Sequence, residues 1–401
     1  MRAGLIGAAG FGAKWLALGG LMGVLTGMAA AFFLFCLDVV TRTFQQVPVL
    51  FYFLPLAGMG LGWLYAHYAG PAARGSHLVM EALNNPHQEI PVRLATLVLF
   101  GTLITHLFGG SAGREGTAVQ MGAGIASALY QRLGLGTRDR NNLLMAGVSG
   151  GFGAVFGTPF AGMAFGVEVA SGGRLRIGGL MPCVLAAITG DYVTRLLGIE
   201  HAHYAVQATT PLLWSLVIGV VLTAVACGLV SRLFVWTTTS IKRIAAELPY
   251  VWTRPAIGAL VLIGFTLLVG NRDYLGLGLP IIKASLGGAA MDPFAFFFKL
   301  IATSITVGSG FIGGEVTPLF AIGSSLGATM CSIVQLDQGF AARLGFVGMF
   351  AGASKAPITC VLMGMELFGG GAVIYLLIMC IVATLVSGKH SIYGDWPAAS
   401  R

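Results

Sequence analysis

From Trp15 to Leu37 the chain runs without a single charged side chain. About 20 apolar residues in helical form are needed to cross a bilayer. Further apolar runs follow at 50–69, 93–108, 117–130, 143–170, 178–197, 211–235, 255–269, 294–306, 316–334, 342–350, 357–368 and 372–387. Several are too short to span alone, and glycine interrupts many of them. Charged residues make up 9% of the 401, against roughly a quarter in a soluble domain. The reading is an all-α polytopic membrane protein. The opening run is too long for a signal-peptide core and lacks a clean cleavage site, so it is a first spanning helix. The net charge of +8 sits mostly in arginines of short connections, which marks topogenic loops and not a nucleic-acid partner. Cys36, Cys183, Cys227, Cys331, Cys360 and Cys380 lie in apolar runs without metal spacing and read as small hydrophobes. No metal and no cofactor is expected.

Inside this apolar chain the stretch GGSAGREGTAVQMG, 109–122, holds Arg114 and Glu115 side by side. A glycine-rich loop here delivers a helix start to a buried place. Free N–H groups and the positive end of the helix dipole make such a start an anion site. With no free anion present, Glu115 would fill it.

The chain also repeats. Gly113-Arg114-Glu115-Gly116-Thr117 aligns with Gly313-Gly314-Glu315-Val316-Thr317 at a shift of 200. Pro159 and Glu168 align with Pro357 and Glu366 at a shift of 198. Each proline stands nine residues before its glutamate, behind a glycine-rich segment. Two matches in register argue for a duplicated architecture. Short, glycine-broken segments in corresponding halves are where transporters build their sites. Spacing leaves open whether the repeats are parallel or inverted.

GREGT followed by AVQMG, GSGFIGGEVTPLF at 308–320, SIYG at 391–394 and GSHLVME at 75–81 resemble the signature segments of the CLC anion channel and transporter family. The resemblance runs from about Trp15 to Gly394. Its details are similar to the bacterial fluoride/proton antiporter branch: GREGT stands for the usual GREGP, and GGEVTP for the usual Gly-x-Phe-x-Pro. The family implies a homodimer in the bilayer with one anion pathway per subunit, each subunit two inverted repeats of broken, tilted helices. It implies Glu115 as the gating and proton-coupling glutamate. It implies anion contacts from Ser76, from Gly113, Arg114 and Gly116, from the backbone of Gly313, Gly314, Val316 and Thr317, and from Tyr393 on the inner side.

Glu168 and Glu366 read as structural carboxylates at helix breaks, with proton relay as the alternative; Glu315 has the same two readings. Chloride antiporters of the family carry a second acid where this chain has Val169. His106 reads as a packed, hydrogen-bonded histidine. No catalytic motif survives inspection, so the chain is not expected to be an enzyme. Three functions are weighed: a fluoride/proton antiporter; a chloride/proton antiporter or chloride channel of the same fold; and, remotely, a membrane-embedded acid hydrolase using Glu115 and Glu315. The expected organisation is an N-terminal segment 1–14, membrane halves 15–206 and 207–395, a tail 396–401, no regulatory domain, and a place in the inner membrane of a bacterium. Ser76 favours chloride by resemblance; GREGT, GGEVTP, Glu315 and Val169 favour fluoride.

Overall fold

The computed structural model describes residues 2–85, 87–169, 176–201, 204 and 213–395. In its first half the helices are α1 (Arg2–Gln46), α2 (Leu54–Tyr68), α3 (Ser76–Asn84), α4 (Arg93–Leu107), α5 (Glu115–Leu133), α6 (Thr137–Phe156), α7 (Pro159–Val169) and α8 (Leu180–Leu196). The second half has α9 (Trp214–Ala246), α10 (Thr253–Val269), α11 (Leu279–Leu286), α12 (Ala295–Gly308), α13 (Val316–Val334), α14 (Gln338–Ser354), α15 (Pro357–Phe368) and α16 (Val373–Val386). A two-residue hairpin, β1 (His390–Ser391) with β2 (Gly394–Asp395), follows α16. Thus α1 to α8 are matched in order and length class by α9 to α16. The segment 1–14 is not set apart, since α1 runs unbroken from Arg2. The boundary at 206/207 and the tail 396–401 lie outside the described residues.

Among the described residues, five helices are long and apolar enough to cross a membrane. Large apolar side chains such as Trp214, Leu268 and Leu385 face outward, as expected where the solvent is lipid. Others are half-length. Helix α7 has 11 residues and rises about 16 Å, half the ~30 Å hydrocarbon core. Its start, and that of α15, must therefore be satisfied by protein groups.

The repeated Pro–Glu spacing supplies them. Glu366, near the end of α15, accepts hydrogen bonds from the N–H of Phe160 (2.9 Å) and Ala161 (2.8 Å) at the start of α7. Glu168, near the end of α7, accepts from the N–H of Ile358 (3.0 Å) and Thr359 (2.8 Å) and from the Thr359 hydroxyl (2.7 Å). Each helix begins with a proline, which has no N–H to satisfy, so the next two donors are the ones that need an acceptor. The reciprocity requires α7 and α15 to run antiparallel, side by side. Equivalent helices heading in opposite directions mean that the second half is turned over relative to the first: the repeats are inverted.

Glycine sets how closely the helices of each half approach. A Cβ on Gly122 of α5 would stand 2.0 Å from the carbonyl oxygen of Gly147 on α6. In the second half a Cβ on Gly323 of α13 would stand 2.2 Å from that of Gly345 on α14. Backbone meets backbone at both places, as in small-residue packing of membrane helices. An aromatic cluster joins the halves: Phe156 lies edge-on to Phe320 at 5.4 Å, and Phe152 stacks on Phe350 at 6.4 Å.

Removing one capping carboxylate leaves two helix donors without an acceptor, at a cost of about 3 kcal/mol. Glu366→Ala is expected to lower the apparent Tm of the detergent-solubilised protein by several degrees, and Glu366→Gln, which keeps one acceptor, by about half as much. An unchanged melting curve for Glu366→Ala would remove the capping role.

Candidate functional site

Helix α4 ends at Leu107, and a loop through Gly109–Arg114 leads to Glu115, the first residue of α5. In the second half α12 ends at Gly308, and a matching loop leads to Val316, the first residue of α13. The loops pair at equivalent points. The Gly113 N–H donates to the Gly314 carbonyl (2.5 Å), and the Gly314 N–H donates to the Gly113 carbonyl (2.7 Å). A Cβ on Gly116 would lie 3.1 Å from the Gly314 Cα, and one on Gly313 would lie 2.5 Å from the Ala112 Cβ. A side chain at either place would force the loops apart.

The helices thus meet start to start, and Glu115 fills the junction. Its side chain is fully buried. The carboxylate reaches across to α13: it accepts from the Thr317 N–H at 3.0 Å, and the Thr317 hydroxyl lies 2.6 Å from both of its oxygens. On its own side it accepts from the Arg114 N–H (3.2 Å), and the Arg114 guanidinium approaches to 3.4 Å. A third helix start is adjacent. Ser76 opens α3, and its hydroxyl oxygen lies 3.9 Å from where a Gly116 Cβ would be. That oxygen accepts from Gln120 Nε2 at 3.1 Å, which leaves the Ser76 hydrogen able to donate elsewhere. The starts of α5 and α13 therefore converge on one buried negative group, and the start of α3 stands beside Gly116.

Of the residues singled out in the sequence, Ser76, Gly113, Arg114, Glu115, Gly116, Gly313, Gly314, Val316 and Thr317 lie at this junction. Glu315 is the N-cap residue of α13 and borders a cavity of about 520 Å³. The other walls of that cavity include His77, Arg232, Lys242, Arg243 and the hairpin residues His390 to Ile392 and Gly394. Tyr393 sits in the hairpin turn with its ring edge-on to Phe165 at 5.9 Å. The hairpin is pinned where the Ile392 N–H donates to the Ala353 carbonyl at 3.0 Å. Glu168 and Glu366 belong to the α7/α15 caps and do not touch Glu115.

Apart from His106, read from the sequence as a packed, hydrogen-bonded histidine, the loop ahead of Glu115 is held by side chains that composition and spacing did not bring forward. Ser111 is bonded to Thr303 (2.9 Å), its N–H donates to Thr306 (3.1 Å), and Lys299 donates to its hydroxyl (2.9 Å). Thr102 and Thr117 share a hydrogen bond of 2.7 Å. His106 is buried with both ring nitrogens facing carbonyls, Thr102 at 2.8 Å and Ala112 at 3.1 Å. Lys299 did carry a signal, as the one charge in the apolar run AFFFKLIATSITVG. The others are hydroxyl residues of a kind that membrane helices bury in number.

Comparison with known proteins gives the family and the overall fold. The family described as "Voltage gated chloride channel" matches residues 56–388. The "Chloride/fluoride channel protein" of Pseudomonas syringae pv. tomato is 41% identical over 389 residues, 95% of this chain and 86% of that protein. The "H(+)/Cl(-) exchange transporter ClcA" of Vibrio cholerae is 26% identical over 95% of this chain and 87% of its own length. Among solved structures, one titled as a CLC-type fluoride/proton antiporter superposes with a TM-score of 0.91 at 34% identity, covering 95% of this chain and 97% of that one. A slow cyanobacterial Cl⁻/H⁺ antiporter shares the fold, with a TM-score of 0.85 at 18% identity over 95% and 96% of the two chains. The chain is therefore a multi-pass membrane protein belonging to the CLC family of anion channels and transporters.

Proposed function

We propose that the protein exports fluoride in exchange for protons, with Glu115 as both gate and proton carrier. One observation carries this reading: a buried carboxylate occupies the seat that an anion would take, held by the Thr317 N–H and hydroxyl. Ionised, Glu115 competes with a halide for those donors. Protonated, it is neutral, holds the seat less strongly and leaves it to the anion. One residue thereby links the two fluxes.

Fluoride is small and strongly hydrated, so a site that takes it must replace its water shell with donors at short range. The Thr317 hydroxyl, 2.6 Å from the carboxylate oxygens, supplies such a contact. Likeness to a relative named for chloride and fluoride, and to a structure titled as a fluoride/proton antiporter, supports the same choice. A chloride/proton exchanger is the second reading, and Ser76 favours it, because chloride members of the family carry serine there. The cavity beside Glu315 gives the ions a way in, and its Arg232, Lys242 and Arg243 raise the local anion concentration. Lys242 and Arg243, near the end of α9, support a cytoplasmic position for that end, and the reading is a protein of the inner membrane of a bacterium. The functional unit is a homodimer formed by apolar helices, for which single-particle mass in lipid is the direct measurement; a uniform monomer would count against it.

In vesicles reconstituted with the full chain, Glu115→Gln is expected to abolish fluoride-driven proton uptake; a mutant that still moves protons uphill would sink the assignment. Efflux from vesicles loaded with each halide in turn should show fluoride moving at least about tenfold faster than chloride, a difference of ~1.4 kcal/mol. Equal rates would establish the chloride reading in its place. Thr317→Val removes a hydrogen bond to a charged group and is expected to raise the half-saturating fluoride concentration about tenfold or more.

A further inference from the structure

Lys299 is fully buried in α12, and among the described residues no carboxylate forms an ion pair with it. Its ammonium donates to the Ser111 hydroxyl (2.9 Å), the Tyr274 carbonyl (3.1 Å) and the Gly276 carbonyl (2.7 Å). Three acceptors match the three hydrogens of an ammonium. Ser111 lies four residues before Glu115 and two before Gly113, within the loop that delivers the gate.

We propose that Lys299 is a positioning residue that also sets the anion affinity of the Glu115 site, by holding a buried positive charge against its loop. A brace alone does not account for it. Thr303 and Thr306 already hold Ser111, and His106 holds Ala112. A neutral amide could supply two of the three donors without the cost of burying a cation, which is several kcal/mol. The charge itself is what the position adds. Four residues of chain put the Glu115 Cα at most about 14 Å from that of Ser111, and a unit charge about that far from a monovalent anion, at an effective dielectric near 20, alters its affinity by roughly tenfold. The groups that share this field are Arg114, flanking Glu115, and His106, in the last turn of α4.

The inference rests on the assignment of Glu115 as the anion gate, so the comparison uses whichever halide the wild type carries and includes Glu115→Gln as the test of that assignment. Halide efflux is measured against halide concentration for the wild type, Lys299→Arg, Lys299→Gln and Lys299→Met in reconstituted vesicles. Lys299→Gln keeps hydrogen-bond donors and loses the charge. It is expected to raise the half-saturating halide concentration about tenfold while maximal turnover stays within about twofold, and Lys299→Arg to restore the wild-type value. Half-saturation unchanged in Lys299→Gln would overturn the proposal, and so would a loss of turnover with no change in half-saturation, which marks a brace only. Should Lys299→Met fail to assemble, the Gln and Arg variants decide the matter. Loss of coupling in Glu115→Gln, together with unchanged half-saturation in Lys299→Gln, would leave the gate standing and remove Lys299.

Discussion

Everything in this molecule depends on one buried contact, the carboxylate of Glu115 at the start of α13. A negative group with no access to water persists only where fixed donors replace hydration. Here the Thr317 N–H and hydroxyl do so. For them to face Glu115, two helices must begin at the same point from opposite directions. For that, their leading loops must touch backbone to backbone, as they do through Gly113 and Gly314. The abundance of glycine follows from the same demand: the site is built where two chains come closer than side chains permit.

The two halves hold each other by exchanging what each lacks. A half-length helix inside a membrane has unsatisfied donors at its start and no water to meet them. Helices α7 and α15 each offer a glutamate near one end and bare donors at the other, and lying antiparallel they satisfy both at once. This use of Glu168 and Glu366 also explains why intramembrane acids, usually markers of ion paths, stand here as links between the repeats.

The scaffold is nearly symmetric, while the chemistry on it is not. At the offset that places Glu115 on Val316, His106 corresponds to Val307, Ser111 to Ile312 and Lys299 to Val98. Only the first-half loop is braced by polar side chains. The second-half loop instead presents Glu315 to a basic cavity.

Much of this was legible along the chain. Scarcity of charge and the length of the apolar runs determined a helical membrane protein, since lipid admits only helices and closed barrels, and unbroken apolar runs do not fit the alternating strands of a barrel. The glycine-rich loop before Glu115 determined a buried helix start, and the spacing of Pro159 to Glu168 and Pro357 to Glu366 determined a repeat. What only the tertiary structure decided is how these pieces face one another. Sequence shift cannot distinguish parallel from inverted repeats, because both preserve spacing; the reciprocal caps of α7 and α15 do distinguish them. Nor can it show that Thr317 binds Glu115, that Gln120 holds Ser76, or that Lys299 reaches Ser111. Each of those contacts joins residues far apart in the chain, and those made by Thr317 and Lys299 do not exist until the two halves are packed together.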